Sequence, residues 1–238
     1  MNVAIVGYTP SRALAPFNDS DWEIWALNDL YKHIPKYDRW FQLHDFETIN
    51  QHALENKGRT NAKDQFEAFK KMSCPVYLQE KHPEIPMSET YPLDKILKKF
   101  GKMFQDPDEV KYFTNSISYM IALAIYEGAK KIHVYGVDMA VGTEFHEQRA
   151  SCEFWLGVAA GMGIEIHVPK EADLLKSRFM YGYDDKKVSA FSAKMNQIAK
   201  ELKTKVENEE RLENAAHDRK LQYMGAQLAH KEILRNWE

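Results

Sequence analysis

The sequence predicts an α/β fold: a Rossmann-like, mainly parallel sheet with helices on both faces over residues 1 to about 180, followed by a helical extension over 185–238. Three observations carry that prediction. Short apolar, β-branched or aromatic runs alternate with helix-like segments, several of these runs are apolar nearly throughout, and glycine almost vanishes after Val188, where a heptad pattern begins. Alternation of strands with helices signals parallel pairing, and strands without polar alternation are those covered on both faces.

The strand candidates, in order, are Asn2 to Val6, Glu23 to Leu27, Arg39 to Leu43, Pro75 to Gln79, Lys131 to Tyr135 and Ile164 to Val168. The clearest helix is Ser116 to Glu127, with Ile117, Met120, Ile121, Ala124 and Ile125 on one face and Gly128 as a stop. A second helix runs from about Phe145 to Met162, and its Gly157, Ala159, Ala160 and Gly161 allow close approach to the sheet. Residues 80–111 break the rhythm with Pro83, Pro86, Pro92 and Pro107. They read as a long excursion over the sheet rather than another βα unit, serving as a lid or as a surface insertion. In the extension, Val188, Phe191, Met195, Ile198 and Leu202 repeat at heptad spacing, which predicts a long helix or helical hairpin. Such an arm either self-associates into a homo-oligomer or packs back on the domain.

Composition narrows the class. With 28% charged and 44% hydrophobic residues the chain has an ordinary globular profile, and a net charge of −3 provides no global basic field for nucleic acid. No apolar stretch reaches bilayer length, and the start, MNVAIVGYTPS, is not a signal peptide. Cys74 and Cys152 lie far apart with no CxxC partner, so both are expected to be small buried side chains in a reducing cytoplasm.

The candidate site residues cluster where these strands end. Gly7-Tyr8-Thr9-Pro10-Ser11 forms a turn after the first strand that can offer backbone N–H groups to a phosphate, or be a plain tight turn. Asn28 ends the second strand, placed to touch a ligand or to cap a helix beginning near Asp29. His44 and Asp45 follow the third strand; they could transfer protons or, with Asp138, hold magnesium, while Asp45 also suits a helix N-cap. Thr114-Asn115-Ser116 opens the best helix, where free N–H groups and the helix dipole favour phosphate. Asp138 follows Gly136 at the next strand end and could grip a sugar hydroxyl or order the turn. His146 is the preferred general base, and Arg149 is a phosphate or carboxylate partner.

Taken together, the VAIVGYTPS start, Asn28, the NSISYMIALAIYEGAKKIHVYGVDM block and the GIEIHVPKEADLL close resemble bacterial sialyltransferases of the single-domain Rossmann type. They also resemble the related domain of archaeal 6-hydroxymethylpterin diphosphokinases, and the chain is similar to proteins of like size encoded by bacteriophages, which would place it in a host cytoplasm. The sialyltransferase resemblance covers residues 1 to about 176 and implies a cytidine nucleotide held by Gly7, Pro10, Ser11, Asn28, Asn115 and Ser116, with His146 as base. Two departures stand out. Met139 and Ala140 follow Asp138 where that family carries tyrosines that assist the departing phosphate, and His44 stands near a family asparagine.

Three functions follow from these readings. The first is a glycosyltransferase with a nucleotide-activated sugar as donor and an acceptor of unspecified identity. The second is magnesium-dependent diphosphate transfer, and the third is non-catalytic sequestration of a nucleotide.

Overall fold

All six apolar runs become strands in the computed structural model, which describes residues 1–55, 60–103, 112–139, 146–177 and 179–235. They are β1 (Asn2–Val6), β2 (Trp22–Leu27), β3 (Arg39–Phe41), β4 (Val76–Leu78), β6 (Lys131–Tyr135) and β7 (Glu165–His167), joined at one edge by β5 (Ser88–Thr90). Every pairing is parallel, in the order β5-β4-β3-β2-β1-β6-β7.

The near-continuous hydrophobicity of β1 has the expected cause. Val3 and Ile5 enter one core with Trp25, Met120, Ile121 and Trp155, whereas Ala4 and Val6 enter the other with Ile24, Trp40, Leu30 and Phe69. A strand buried on both faces has no use for polar alternation. The helices of this unit are α1 (Phe46–Glu55), α2 (Ala62–Phe69), α3 (Leu93–Phe100), α4 (Ser116–Tyr126) and α5 (His146–Gly161). Gly128 ends α4 as the sequence indicates: at φ +80° it donates to Ile125 O (3.1 Å), and Ala129 donates to Ala124 O (2.9 Å). These two bonds form a Schellman motif.

The reading of residues 80–111 as an excursion is corrected, because this stretch contains a βα unit. Ser88-Glu89-Thr90 lacks the apolar signature of the other strands because β5 is an edge strand, with Glu89 and Thr90 exposed. Pro83 and Pro86 precede β5 rather than break it, and Pro92 occupies the N-cap position of α3, which buries Ile96 and Phe100. Residues 104–111 lie outside the described residues.

Two compact units divide the chain, Met1–Lys176 and Ser177–Glu238. The second is dominated by one continuous helix, α6 (Asp185–Arg235), on which Met195, Ile198, Leu202, Leu212 and Leu228 are exposed. No helix among the described residues is long and apolar enough to cross a membrane.

Candidate functional site

The chain lays down β1 mid-sheet, moves outward through β2 to β5, and returns to place β6 on the other side of β1. Loops leaving β1 and β6 therefore diverge, and open parallel sheets gather ligands at such a switch point beyond the carboxyl ends of the strands. A cleft of about 440 Å³ lies there, lined by the ends of β1, β2, β3 and β6 and by the starts of α4 and α5. Gly7, Tyr8, Thr9, Asn28, His44, Asn115, Ser116 and Asp138 all line it.

Backbone contact builds the wall between β1 and β6. Gly7 N donates to Tyr135 O (2.8 Å), and Thr9 N donates to Gly136 O (3.0 Å). The approach is so close that a Cβ on Gly7 would sit 2.4 Å from Gly136 O, and one on Gly136, at φ +67°, would sit 2.5 Å from Gly7 O. Gly7 is thus required for the contact between turns, a role that its single-glycine motif did not reveal. Buried Ser11 locks the junction: Gly136 N donates to Ser11 Oγ (2.9 Å), and Ser11 Oγ donates to Asp138 Oδ1 (3.2 Å). Ser11 and Pro10 are absent from the cleft lining; Pro10 opens a short 3-10 turn behind it.

Side chains build the opposite wall. Asn28 adopts φ +54°, in the left-handed region that asparagine tolerates better than most residues, directly after β2. Its Oδ1 is buried without a hydrogen-bond partner among the described residues, as is Thr9 Oγ1. The short helical turn after Asn28 has Asp29 at its N-cap with no side-chain cap bond, so the capping role considered for Asn28 is not the one it has. Asp29 is buried and joins three segments: it accepts from Tyr8 OH and from Thr60 N (2.8 Å), while its own N–H donates to Tyr8 OH (3.0 Å).

Beyond Asp29, a chain of amides runs towards β3. Gln65 Nε2 donates to Thr60 O (2.8 Å), Gln42 Nε2 donates to Gln65 Oε1 (2.7 Å), and Gln42 Oε1 faces both His44 N (3.1 Å) and His44 Nδ1 (2.9 Å). His44 and His52 meet edge to face, with ring centroids 5.2 Å apart, and both line the cleft. Asp45 is turned to local use: its Oδ1 accepts from Thr48 N (2.7 Å) as the cap of α1. That backbone bond holds the Asp45 carboxyl below the usual carboxylate range. Of the three residues considered for magnesium, His44 and Asp138 line the cleft and Asp45 does not. Among the described residues no group of three or more His, Cys, Asp or Glu is placed to hold a metal ion.

At the start of α4, Asn115 is committed to structure. Its Oδ1 accepts from Ser118 N (3.0 Å) as the helix cap, and its Nδ2 donates to Gln148 O (2.8 Å) on α5. Thr114 Oγ1 pairs with Ser151 Oγ (2.6 Å), and the Cys152 thiol donates to Asn115 Oδ1 (3.2 Å). Burial pushes the Cys152 thiol up to about 12 and the Cys74 thiol up to about 11, so both side chains are neutral at physiological pH. Arg149 is placed outside the cleft lining, with Nε on Glu153 Oε1 (2.8 Å) and Nη2 on Lys176 O (2.9 Å). His146 is the first residue of α5, two positions before the cleft-lining Gln148; its side chain lies outside the described residues.

Sequence reasoning missed Asp29, Gln42, Thr60, Gln65, His52 and Gln148, all of which line the cleft. One signal was present. Gln42 interrupts the apolar run Arg39 to Leu43, where a buried amide needs partners and so points to a polar network.

No family model matches the chain, and no curated protein matches it in sequence. Among solved structures, it is similar to the sialyltransferase CstII from Campylobacter jejuni in complex with the substrate analogue CMP-3FNeuAc. That match has 16% identity and a TM-score of 0.44, covering 75% of this chain and 88% of the other. A complex of the sialyltransferase CST-II with a trisaccharide acceptor and CMP gives 16% identity and a TM-score of 0.44, over 76% and 89% of the two chains.

Proposed function

We propose that this chain is a nucleotide-dependent transferase, a glycosyltransferase whose cleft holds a nucleotide-activated sugar. The observation that carries the reading is the pair of buried polar atoms, Asn28 Oδ1 and Thr9 Oγ1, that lack partners among the described residues and sit on cleft-lining residues at adjacent strand ends. A buried polar atom left unpaired costs about 1–3 kcal/mol, which a polar ligand restores on binding. The first turn of α4 adds N–H groups with no intrahelical acceptor beside Ser116, a setting suited to a phosphate.

In this reading the phosphate of the donor lies between the Gly7–Thr9 turn and the start of α4, and Asp138 grips a sugar hydroxyl. The acceptor hydroxyl oxygen attacks the anomeric carbon. His146 takes the hydroxyl proton as the new glycosidic bond forms, and the electron pair of the breaking bond leaves on the nucleotide phosphate. The sequence resemblance implies a cytidine donor; His44, which stands near a family asparagine, is where recognition would differ.

Mass spectrometry of small molecules released from the purified chain, with a thermal-shift screen of nucleotides and nucleotide sugars, tests the reading. A nucleotide or nucleotide sugar that raises the melting temperature is expected. Once a donor is in hand, His146→Ala is expected to lower turnover by about a hundredfold or more, the scale of a lost general base. Recovery of the nucleotide unaltered, with no acceptor modified, would overturn transfer in favour of sequestration. Full turnover in His146→Ala would remove His146 as the base.

A further inference from the structure

Leu202 is the centre of a stripe on α6 whose spacing reads the same in both directions. Ile198 and Val206 lie four residues to either side of it, Met195 and Glu209 seven, and Phe191 and Glu213 eleven. At 3.6 residues per turn all seven positions fall within an arc of about 80°, so they share one face of the helix over about 33 Å. The apolar middle of that face is open: Met195 is 40% exposed, Ile198 38%, Leu202 56% and Val206 57%. Phe191, at one end, meets the Phe179 ring with centroids 5.6 Å apart.

Charge divides about the same point with opposite sign. Residues 186–205 hold six lysines against one carboxylate, Glu201, whereas residues 207–218 hold five carboxylates against one arginine, Arg211. A parallel, in-register pair of such helices would stack basic on basic and acidic on acidic, with Glu209 and Glu213 facing their own copies in the seam. Like charges held together in this way oppose association. An antiparallel pair crossing at Leu202 reverses every one of these contacts. Leu202 then meets its own copy, Ile198 meets Val206, the basic segment lies along the acidic one, and Lys194 comes beside the Glu209 carboxylate. A two-fold interface requires that whatever residue i meets, the copy of i meets in return, and a face that is symmetric in spacing and opposite in charge about one residue meets that requirement.

We propose that α6 docks against α6 of a second copy of this chain, antiparallel, with the two-fold axis at Leu202. The step of four on both sides of Leu202 is a stutter in the heptad pattern, which locally unwinds the supercoil and lets the two helices run straight where they cross. Ile198, Leu202 and Val206 form the dry centre of the contact, and the outer contacts are charge pairs that fix direction and register.

Sedimentation equilibrium of the full chain is expected to return the mass of a dimer. Leu202→Glu, which sets two carboxylates together at the axis, is expected to return a monomer. A monomeric native chain, or a dimer that survives Leu202→Glu, overturns the proposal; in the first case the face packs on the chain's own first unit. Direction is read from the double variant Ile198→Cys with Val206→Cys, oxidised and digested with trypsin, which separates the two positions. Disulfides joining position 198 to position 206 are expected, and links of 198 to 198 or 206 to 206 overturn the antiparallel order. This readout stands even if Leu202→Glu fails to fold. Lys194→Glu and Glu209→Lys are each expected to weaken the dimer about tenfold, since symmetry breaks two charge pairs at once, and the two changes together to restore it. Loss in the combined variant equal to the sum of the single losses overturns the pairing of Lys194 with Glu209 and the register with it.

Discussion

Across the cleft, the β1–β6 wall is closed by backbone and the β2–β3 wall by side chains. Gly7 and Gly136 interlock within contact distance, and Ser11 ties the junction. On the other side Asn28 presents an unpartnered oxygen, and Gln42 spends its amide on orienting His44. The difference separates two duties. A backbone junction fixes where a ligand can lie, and it tolerates almost no substitution; a side-chain wall decides which polar groups are met, and it can change without moving the sheet.

If that division holds, the largest effects on stability come from the β1–β6 wall. Gly136→Ala places a Cβ 2.5 Å from Gly7 O and strains a backbone at φ +67°, so it is expected to destabilise the Met1–Lys176 unit by about 3 kcal/mol or more. In thermal unfolding this is a fall of roughly 6–12 °C. Gly128→Ala is the matched control. It shares the left-handed φ, at +80°, but its Cβ meets nothing within 4 Å, so about 1 kcal/mol is expected. Equal losses in the two variants would show that backbone strain, and not the interlocking of the turns, sets the cost.

Ser11→Ala comes next. It leaves the buried N–H of Gly136 without its acceptor and takes the donor from Asp138, for an expected loss of about 1–3 kcal/mol by chemical denaturation. A ligand effect without a stability effect would move Ser11 from the scaffold to the binding surface.

The β2–β3 wall should answer in the opposite sense. Asn28→Gly keeps the left-handed backbone and removes the amide, so stability is expected to change little while affinity for the bound nucleotide falls about tenfold. A drop in melting temperature comparable to that of Ser11→Ala, with affinity intact, would make Asn28 part of the scaffold instead.

How far the sequence reveals each wall follows the same division. The strands were legible because burial on both faces leaves runs such as Val3 to Val6 without polar interruption, and α4 because its apolar positions end at Gly128. β5 was hidden, since an edge strand of Ser88-Glu89-Thr90 looks like a turn. In the site, Gly7, Asn28 and Asp138 were legible from their places just after strands, where ligands gather. Gln42, Thr60 and Gln65 were not, because their importance is a matter of partners 23 and 5 residues apart, and no period in the sequence records such pairing. Asn115 has a second duty that three consecutive polar residues did not reveal: it lines the cleft and also caps α4 and bonds across to α5.

Asp45 marks the outer edge of the side-chain wall and carries the smallest expected effect. It follows His44 directly, yet its carboxylate serves Thr48 N at the start of α1. Asp45→Asn should therefore leave nucleotide affinity unchanged and stability nearly so, because an asparagine oxygen caps as well as a carboxylate. Asp45→Ala should loosen only the first turn of α1, visible as faster amide exchange at Thr48. The pH dependence has a definite sign: with the folded carboxyl below its usual value of 3.8, the contribution is present above that value and fades as pH falls through the folded titration. Loss of ligand affinity in Asp45→Asn would instead join Asp45 to His44 as a working pair, and the boundary of the ligand-reading wall would have to be redrawn to include the start of α1.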